Sequence, residues 1–505
     1  MNTLSINQLL HFQLFHNYNQ THQIKIMGKI IAGLVGFDDT RQSGVEIPLY
    51  KNKVLKIGRE QLSREDNTKG EHRCNSYYLR NKHVSLIHCY IWSIQFDEET
   101  PFVTYIKCLS SNPVSVNGKP LSRNCYTILN EADEIIIKKS LSARFYYCEG
   151  INGSSSNKKV GFSKNGKWCI LPHLIGVGTF GTVHVARHVT NPKKLYAVKT
   201  IKCDPANKYK VESSILVKLH HTNIIKVYEE KMLKHEGDDY LRIFQDLAIG
   251  GDLFSYMSRD NASLLPLPES ESLFITYQIL KALSYLHSHG VVHRDLKLDN
   301  VLIMDVPIQY PFVVLADFGI AKEVDVQQQD LELIFSQYYS QSRSKSRRRC
   351  TDRGMPGLKG RASTVAGGLK QPIARMHTIV GTAEYAAPEI NILEIGNKVS
   401  TEIGYDEKVD VWSLGVVCHI LLSGISPFFS DSLKDTVMKT KRGLIFFDMK
   451  EWKGVSKEGK LFVKKSLTMD SYSRWSIPEC LKSSWLIKDN RQHWLEECYK
   501  NVVKR

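Results

Sequence analysis

The segment HRDLKLDN, from His293 to Asn300, constrains the fold and chemistry of this chain more than any other stretch. It contains Asp295, Lys297 and Asn300, and Asp317 follows at the start of an Asp-Phe-Gly sequence after a short strand-like run. Transfer of a phosphoryl group needs an acid beside the acceptor hydroxyl, metal ligands and a cation on the phosphates. The segment therefore supplies, in order, the groups that this chemistry requires.

A glycine-rich loop, GVGTFGTV, lies upstream between two apolar runs that we predict to form a β-hairpin. Its Gly176, Gly178 and Gly181 lack side chains, so the backbone there can approach phosphates closely, and Val183 ends the motif. Glycine spacings of this kind also recur by chance and in dinucleotide-binding sites. The loop alone therefore identifies no activity.

Other motifs follow the loop in order. The run YAVK places Lys199 on the next predicted strand, and Glu212 falls within VESSILVKLH, whose apolar spacing predicts a helix. An Ala-Pro-Glu sequence at 387–389, the apolar helix DVWSLGVV and Arg474 lie further along the chain. With this many parts in order, the chain from about Lys167 to Lys488 resembles the eukaryotic protein kinases.

The resemblance implies a bilobal α+β fold that uses ATP and Mg²⁺. It also implies that Asp295 accepts or orients the proton of the substrate hydroxyl and that Asn300 and Asp317 hold Mg²⁺. Lys297 would neutralise the charge that develops on the moving phosphate. The presence of all these residues favours an active enzyme over the alternative, a catalytically dead scaffold.

The resemblance also assigns further nucleotide and substrate contacts. An ion pair between Lys199 and Glu212 would align the lysine with the nucleotide, beneath the glycine-rich loop. Counting back from the Gly-Gly-Asp turn that ends at Asp252 places Gln245 at the position that controls the depth of the nucleotide pocket. Asp252 and Asp299 stand where relatives place carboxylates that bind an arginine three residues before the phosphoacceptor, which predicts a preference for such substrates.

The segment after the Asp-Phe-Gly sequence is unusually long for this family because of a Gln-, Ser- and Arg-rich insert at about 323–375. Residues 343–375 contain ten Lys or Arg against one Asp, and low hydrophobicity predicts that the insert is disordered. A nuclear import signal, a nucleic-acid patch and a solvated insert remain open, although the lack of aromatic residues there argues against base stacking. After the insert, the resemblance predicts activating phosphorylation at Thr378 and Thr382.

Residues 30–150 have a different pattern, with short alternating apolar runs between polar turns, which predicts an all-β sandwich. Gly58-Arg59, NKHVSLIH and LSSNPVSVNG within it resemble the motifs of forkhead-associated (FHA) domains, which bind phosphothreonine. A phosphate needs a guanidinium with short hydroxyl and amide donors beside it. The predicted phosphothreonine-binding residues are Arg59, Ser85, Ser111 and Asn112, with His88 as an internal support.

The predicted protein is therefore multidomain, an N-terminal all-β FHA sandwich followed by a bilobal α+β protein kinase fold. The predicted segments are a polar extension (1–29), the FHA domain (30–150), a flexible linker (151–166), the kinase domain (167–488) and a C-terminal tail (489–505). The linker is polar and rich in Gly and Ser, which favours two domains with adjustable relative geometry.

An FHA domain followed directly by a Ser/Thr kinase resembles the checkpoint effector kinases, and most of all the meiosis-specific FHA kinase of budding yeasts. That resemblance implies a nuclear protein in meiotic recombination partner choice and checkpoint signalling. Its partners would be protein substrates, a phosphothreonine-bearing scaffold of the meiotic chromosome axis and a second copy of itself, for phosphorylation between molecules. A mitotic DNA-damage checkpoint kinase with the same chemistry remains the alternative.

Composition argues against three further classes of protein. The chain has no uninterrupted apolar run of about eighteen residues, so no membrane association is expected. Its eleven cysteines are scattered without Cys-x-x-Cys pairs, which favours a reducing compartment over a disulfide or zinc framework. Direct nucleic-acid binding is not expected either.

Overall fold

The computed structural model describes residues 29–60, 73–97, 99–149, 151, 166–178, 181–203, 218–235, 237–258, 263–318, 322–323, 383–390 and 407–504. Most of the predicted N-terminal extension, linker and activation-segment insert lies outside these ranges. No α-helix of the described residues is long and apolar enough to cross a membrane.

Two β-sheets pack face to face in the N-terminal domain, which confirms the predicted sandwich. The strands are β1 (Ile30–Asp38), β2 (Ser43–Tyr50), β3 (Val54–Arg59), β4 (Cys74–Leu79), β5 (Cys89–Ile94), β6 (Val103–Cys108), β7 (Val114–Val116), β8 (Lys119–Leu121), β9 (Tyr126–Leu129), β10 (Glu134–Ile137) and β11 (Leu141–Tyr147). One sheet has the order β2-β1-β11-β10-β7-β8 and the other β4-β3-β5-β6-β9. In β11, Leu141, Ala143 and Phe145 are buried while Ser142 and Arg144 are exposed, as expected when one face of a strand meets the core.

A five-stranded antiparallel sheet forms the small lobe of the kinase. Its strands are β12 (Trp168–Gly178), β13 (Gly181–His188), β14 (Asn191–Lys202), β15 (Val227–His235) and β16 (Asp238–Asp246), in the order β12-β13-β14-β16-β15. The pairing of β13 with β14 sets Val183 opposite Lys199. The chain leaves β16 through the hinge, residues 247–251, which leads into the large lobe.

The large lobe is mainly helical. Its helices are α1 (Leu253–Met257), α2 (Glu269–Ser288), α3 (Lys408–Ser423), α4 (Leu433–Arg442), α5 (Lys457–Ser466), α6 (Ile477–Leu481), α7 (Ser484–Ile487) and α8 (Arg491–Val503). Helix α3 is buried from Val409 to Ser423, as its apolar sequence on all sides requires. Two short strand pairs lie beside the predicted catalytic loop: β17 (Val291–Val292) with β20 (Lys322–Glu323), and β18 (Val301–Ile303) with β19 (Val313–Leu315).

Helix α8 occupies the segment that the sequence analysis placed in a C-terminal tail. Leu495 and Val502 are buried in the core of the large lobe, and the Tyr499 hydroxyl donates to Asn223 Oδ1 at 2.7 Å. The spacing of these side chains on one helical face explains why the segment folds back instead of extending into solvent. The large lobe therefore continues beyond residue 488.

The FHA domain packs against the kinase, contrary to the expectation of adjustable geometry. One apolar cluster contains buried side chains of both domains, among them Trp92 and Tyr105 of the sandwich and Leu247 and Ile249 of the hinge. The expectation of adjustable geometry rested on the polar composition of the linker. The apolar residues that join the domains lie instead on strands β5 and β6 of the sandwich. Contact between the domains removes these apolar side chains from water, which favours the docked arrangement.

Candidate active site and phosphothreonine site

The predicted catalytic loop, residues 293–300, is anchored by the fully buried side chain of Asp410 in α3. Asp410 accepts hydrogen bonds from the backbone N–H groups of His293 (2.9 Å) and Arg294 (2.8 Å), and it lies 2.8 Å from His287 Nε2. Burial alone would raise the pKa of Asp410, but the hydrogen bond and charge of His287 lower it. An ionised Asp410 therefore holds Arg294 in left-handed backbone, with φ of 68°.

Asp295, Lys297 and Asn300 form a connected group on this loop. Asp295 Oδ2 lies 3.0 Å from Lys297 Nζ and accepts a hydrogen bond from Asn300 Nδ2 at 2.9 Å. The same Asn300 nitrogen donates to the Asp295 backbone carbonyl at 2.7 Å. Burial would lower the pKa of Lys297, but the charge and hydrogen bond of Asp295 outweigh it and raise that pKa. Lys297 is therefore a cation beside a carboxylate whose orientation is fixed.

Asp317 follows β19, and backbone pairing brings it close to the end of the catalytic loop. The N–H of Ala316 donates to the Asn300 carbonyl at 2.9 Å, so the end of β19 is joined to the end of the catalytic loop. Lys199 Nζ lies 3.3 Å from Asp317 Oδ1. Desolvation would raise the pKa of Asp317, but the charges of Lys199 and Lys297 lower it. Asp317 is thus an ionised carboxylate at neutral pH.

These residues suit Mg²⁺, which prefers oxygen ligands. Asn300 uses its amide nitrogen for both hydrogen bonds to Asp295, so the amide oxygen is the atom it offers to a metal. Asp317 offers an ionised carboxylate beside it. Lys199 and Lys297 add two positive charges for the phosphates of ATP. The donor set therefore fits the predicted pair of ATP and Mg²⁺.

The glycine-rich loop connects β12 and β13, which pair as an antiparallel hairpin. Gly178 pairs with Gly181 across β12 and β13, and Gly176 pairs with Val183. A Cβ atom on Gly181 would clash with the backbone carbonyl of Thr200 on β14. Only glycine fits there, so Gly181 is needed for strand packing as well as for any approach of phosphates.

Of the remaining predicted kinase residues, Gln245 lies within the described part of the chain. Gln245 lies half-buried on β16 opposite Ala197, two residues before the hinge. Its control of the depth of the nucleotide pocket stays a prediction. Glu212, Thr378 and Thr382 lie outside the described residues.

In the FHA domain, three loops bring the predicted phosphate ligands together. The N–H of Arg59 donates to the Ser85 carbonyl at 2.9 Å, and its guanidinium donates to the Lys82 carbonyl at 3.4 Å. The Asn112 amide donates to the His83 carbonyl at 2.7 Å. Arg59, Ser85 and Asn112 are therefore held at one end of the sandwich, where basic and amide donors suit a phosphate. Ser111 is exposed beside Asn112.

The sequence analysis missed Ser110, which connects these loops. The Ser110 hydroxyl lies 2.7 Å from the Ser85 hydroxyl and accepts from the Asn112 N–H at 3.0 Å. Its place between two predicted ligands in LSSNP was the available signal. His88 is buried and accepts from the Ser85 N–H at 3.4 Å, and burial lowers the pKa of its imidazole. His88 is thus a neutral internal support, as predicted.

Sequence comparisons agree with this geometry. The profile of the protein kinase domain matches residues 171–343 and 360–486, and the profile of the FHA domain matches residues 55–138. The chain is 34% identical over 493 residues to the meiosis-specific serine/threonine-protein kinase MEK1 of Saccharomyces cerevisiae, with 92% of this chain and 86% of that protein covered. The chain belongs to the FHA-containing Ser/Thr protein kinases.

Two further relatives define its neighbourhood in the family. The meiosis-specific serine/threonine-protein kinase mek1 of Schizosaccharomyces pombe is 29% identical, with 84% of this chain and 82% of that protein covered. The serine/threonine-protein kinase cds1 of the same yeast is 27% identical, with 82% of this chain and 80% of that protein covered. The predicted enzyme class and the resemblance to meiosis-specific FHA kinases are both confirmed.

The two carboxylates predicted to bind a substrate arginine have different surroundings in this kinase. Asp252 is buried and caps helix α1 by accepting from the Ser255 N–H at 2.7 Å. Asp299 lies in a short 3₁₀ helix, Leu298–Asn300, close enough to influence Glu384. Burial, and then the charge of Asp299, raises the pKa of Glu384 to about 7. Glu384 is an acidic neighbour that the sequence analysis missed, because 85 residues separate it from Asp299 along the chain.

Proposed function

We propose that this Ser/Thr kinase is recruited by phosphothreonine on a scaffold of the meiotic chromosome axis and phosphorylates substrates there, in the nucleus. Its role would be in recombination partner choice and checkpoint signalling. The observation that carries the proposal is the presence, in one chain, of a complete catalytic loop and of Arg59, Ser85 and Asn112 gathered at one end of the FHA domain. The names of two relatives, both meiosis-specific kinases, support the meiotic setting.

In the proposed reaction, Asp295 orients the hydroxyl of a substrate Ser or Thr and accepts its proton as the oxygen bonds to the γ-phosphorus of ATP. The bond to the β,γ-bridging oxygen breaks, and ADP leaves with that oxygen. Lys297 neutralises charge on the transferred group, and Mg²⁺ held by Asn300 and Asp317 would stabilise the phosphates. Lys199 holds the nucleotide, and Gln245 limits the depth of its pocket.

Recruitment would depend mainly on Arg59. A phosphate carries up to about two negative charges at neutral pH and accepts several hydrogen bonds, for which a guanidinium is the strongest partner in a protein. The Arg59 guanidinium makes a long hydrogen bond of 3.4 Å to Lys82. A phosphothreonine would replace that bond with a shorter, charge-assisted contact, while Ser85, Ser111 and Asn112 supply donors around it.

A titration of the full chain with a phosphothreonine peptide and its unphosphorylated form tests this recruitment. We expect Arg59→Ala to weaken phosphopeptide binding by about 2 kcal/mol, the scale of a lost charge-assisted hydrogen bond. Arg144→Ala removes an exposed arginine within β11, outside the loops that contain Ser85 and Asn112, and serves as the matched control. Equal affinity of the wild type for the two peptides would exclude phosphothreonine recognition.

Substrate choice should favour an arginine three residues before the phosphoacceptor. Asp299 is half-buried and is the most accessible of the three carboxylates, whereas Glu384 and Asp252 are buried behind it and add negative charge to the contact. Because Asp252 also caps α1, Asp299→Asn is the cleaner test in a peptide library. Loss of the arginine preference in Asp299→Asn would support the assignment, and absence of that preference in the wild type would exclude it.

Activation would follow phosphorylation of Thr378, with Thr382 close to the substrate. Arg294 would pair with the phosphate on Thr378 and so order the activation segment. Clustering of several copies on a phosphorylated scaffold would favour phosphorylation between molecules. Forced dimers of the wild type and of Thr378→Ala test this, since full activity of Thr378→Ala would exclude the mechanism.

Two other functions make different predictions. A mitotic DNA-damage checkpoint kinase would have the same chemistry, but its loss would sensitise vegetative cells to DNA damage rather than disturb meiosis. A catalytically dead scaffold would show no phosphate transfer in any condition. The connected group of Asp295, Lys297 and Asn300 favours the active enzyme over the scaffold, and the identity to meiosis-specific relatives favours the meiotic role.

A further inference from the structure

One face of the FHA domain is continuous with the nucleotide-binding region of the kinase. Trp92 and Ile94 of β5 and Tyr105 of β6 belong to the same buried cluster as Leu247 and Ile249 of the hinge. Other members come from the small lobe, namely Ile175, Val185, Leu195 and Ala197. Val183, a predicted nucleotide contact, packs against this cluster. The sandwich therefore packs with side chains of the hinge and of strands β12, β13 and β14 of the small lobe.

Two contacts fix the hinge backbone to the sandwich. Trp92 is 1% exposed, and its indole Nε1 donates to the Ile249 carbonyl at 2.8 Å. Gly251 has φ of +79°, and a Cβ atom there would lie 3.1 Å from Ile94. The hinge thus makes a directional hydrogen bond and a close packing contact with the same strand, β5. A backbone segment held in this way has less freedom to shift than one exposed to solvent.

A partly buried ion pair joins the sandwich to the turn after β18, the strand that follows the catalytic loop. Lys107 Nζ lies 2.6 Å from both carboxylate oxygens of Asp305, and the Lys107 side chain is only 8% exposed. Asp305 Oδ1 also accepts from the N–H of Val306 at 2.8 Å. Because each charge is partly removed from water, loss of either partner leaves the other poorly solvated.

A third contact lies at helix α1, next to the hinge. The Arg73 guanidinium lies over the Tyr256 ring at 3.5 Å and donates to the Tyr256 carbonyl. The Tyr256 hydroxyl donates in turn to Glu271 of α2. The docked face thus contacts the hinge, the turn after β18 and helix α1.

We propose that Trp92 and Lys107 are positioning residues for ATP binding, because they fix the hinge and the end of β18 through the docked FHA sheet. The effect acts on the affinity for nucleotide, since neither side chain lies in the predicted catalytic loop. It should appear as a higher KM for ATP with little change in kcat at saturating ATP. This inference goes beyond phosphothreonine recruitment, because it assigns the FHA domain a role in the unrecruited enzyme.

A double-mutant cycle on the full-length kinase tests the inference. The variants are Lys107→Met, Asp305→Asn and the two together, with Lys119→Met as a matched control at an exposed position on the other sheet. We expect each single substitution at the ion pair to raise KM for ATP by about threefold to thirtyfold, the range of coupling energies carried through packed side chains. In the double variant, KM for ATP should rise by less than the product of the two single increases, because neither charge is then left unpaired.

Phosphothreonine-peptide affinity of each variant reports whether the sandwich is folded, independently of KM. If Lys107→Met fails to fold, Trp92→Phe keeps a buried aromatic ring but removes the N–H donor to Ile249 and part of the packed indole, so it provides a second test of the same contact. A KM for ATP equal to that of Lys119→Met, in a variant that still binds phosphopeptide, would overturn the inference. If KM for ATP in the double variant rises by the full product of the two single increases, the ion pair has no role in nucleotide binding.

Discussion

The catalytic loop and the phosphothreonine loops of this kinase both handle phosphate, but they are built in different ways. Asp295 already contacts Lys297 and Asn300, and the loop is fixed to the buried Asp410 by two backbone hydrogen bonds. The Arg59 guanidinium, in contrast, makes a long hydrogen bond of 3.4 Å to the Lys82 carbonyl of the sandwich. The comparison teaches that the chemical step depends on geometry set before substrate arrives, whereas recruitment depends on the charge that the ligand brings.

The largest effect should come from Asp295→Asn. The amide cannot accept the hydroxyl proton, so we expect kcat to fall by about 10²-fold to 10⁴-fold, the usual contribution of a general base. Phosphothreonine-peptide affinity should stay within twofold of the wild type, because no FHA contact changes. The measurement is radiolabelled phosphate transfer, and an active Asp295→Asn enzyme would contradict the proposed role.

The second largest effect should be the different response of the two sites to salt. Raising ionic strength from about 0.05 M to about 0.5 M shortens the Debye length severalfold, so the half-buried Arg59 should lose much of its attraction for phosphothreonine. We expect phosphopeptide affinity to fall by about tenfold or more under these conditions. KM for ATP should change less, because Lys199 and Lys297 are partly buried in the cleft. A smaller effect of salt on phosphopeptide affinity than on KM for ATP would contradict this prediction.

A pH effect on substrate choice should be smaller. The pKa of Glu384 is raised to about 7, first by burial and then by Asp299, so its carboxyl is neutral below that pH and ionised above it. We therefore expect the preference for an upstream arginine to strengthen by about threefold between about pH 6 and about pH 8. Glu384→Gln should remove this pH dependence. Unchanged pH dependence in Glu384→Gln would show that another group is responsible.

The smallest effect on normal catalysis should follow Gln245→Gly. The substitution enlarges the predicted nucleotide pocket without touching a catalytic atom, so activity with ATP should stay within about twofold of the wild type, while bulky adenine analogues become inhibitors. Inhibition of the variant and of the wild type by one such analogue gives the measurement. Equal inhibition of both proteins would refute the placement of Gln245.

The catalytic site was predictable from the sequence because its residues lie in short contiguous motifs. Asp295, Lys297 and Asn300 are near one another along the chain, and one loop brings them together. The contact between the FHA domain and the hinge was not predictable, since Trp92 and Tyr105 are typical strand residues and nothing marks the surface that they cover. Glu384 was missed for a related reason, because only the folded large lobe places it beside Asp299.

The most direct test of phosphothreonine recruitment uses one kinase assay with two peptides. Each peptide contains the same acceptor Ser with an upstream Arg, joined by a flexible spacer to either phosphothreonine or threonine. For the wild type, the phosphothreonine peptide should have a KM at least about tenfold lower, because binding at the FHA domain raises the local concentration of the acceptor. Arg59→Ala should abolish this difference while keeping kcat. Equal KM values for the two peptides in the wild type would contradict the account.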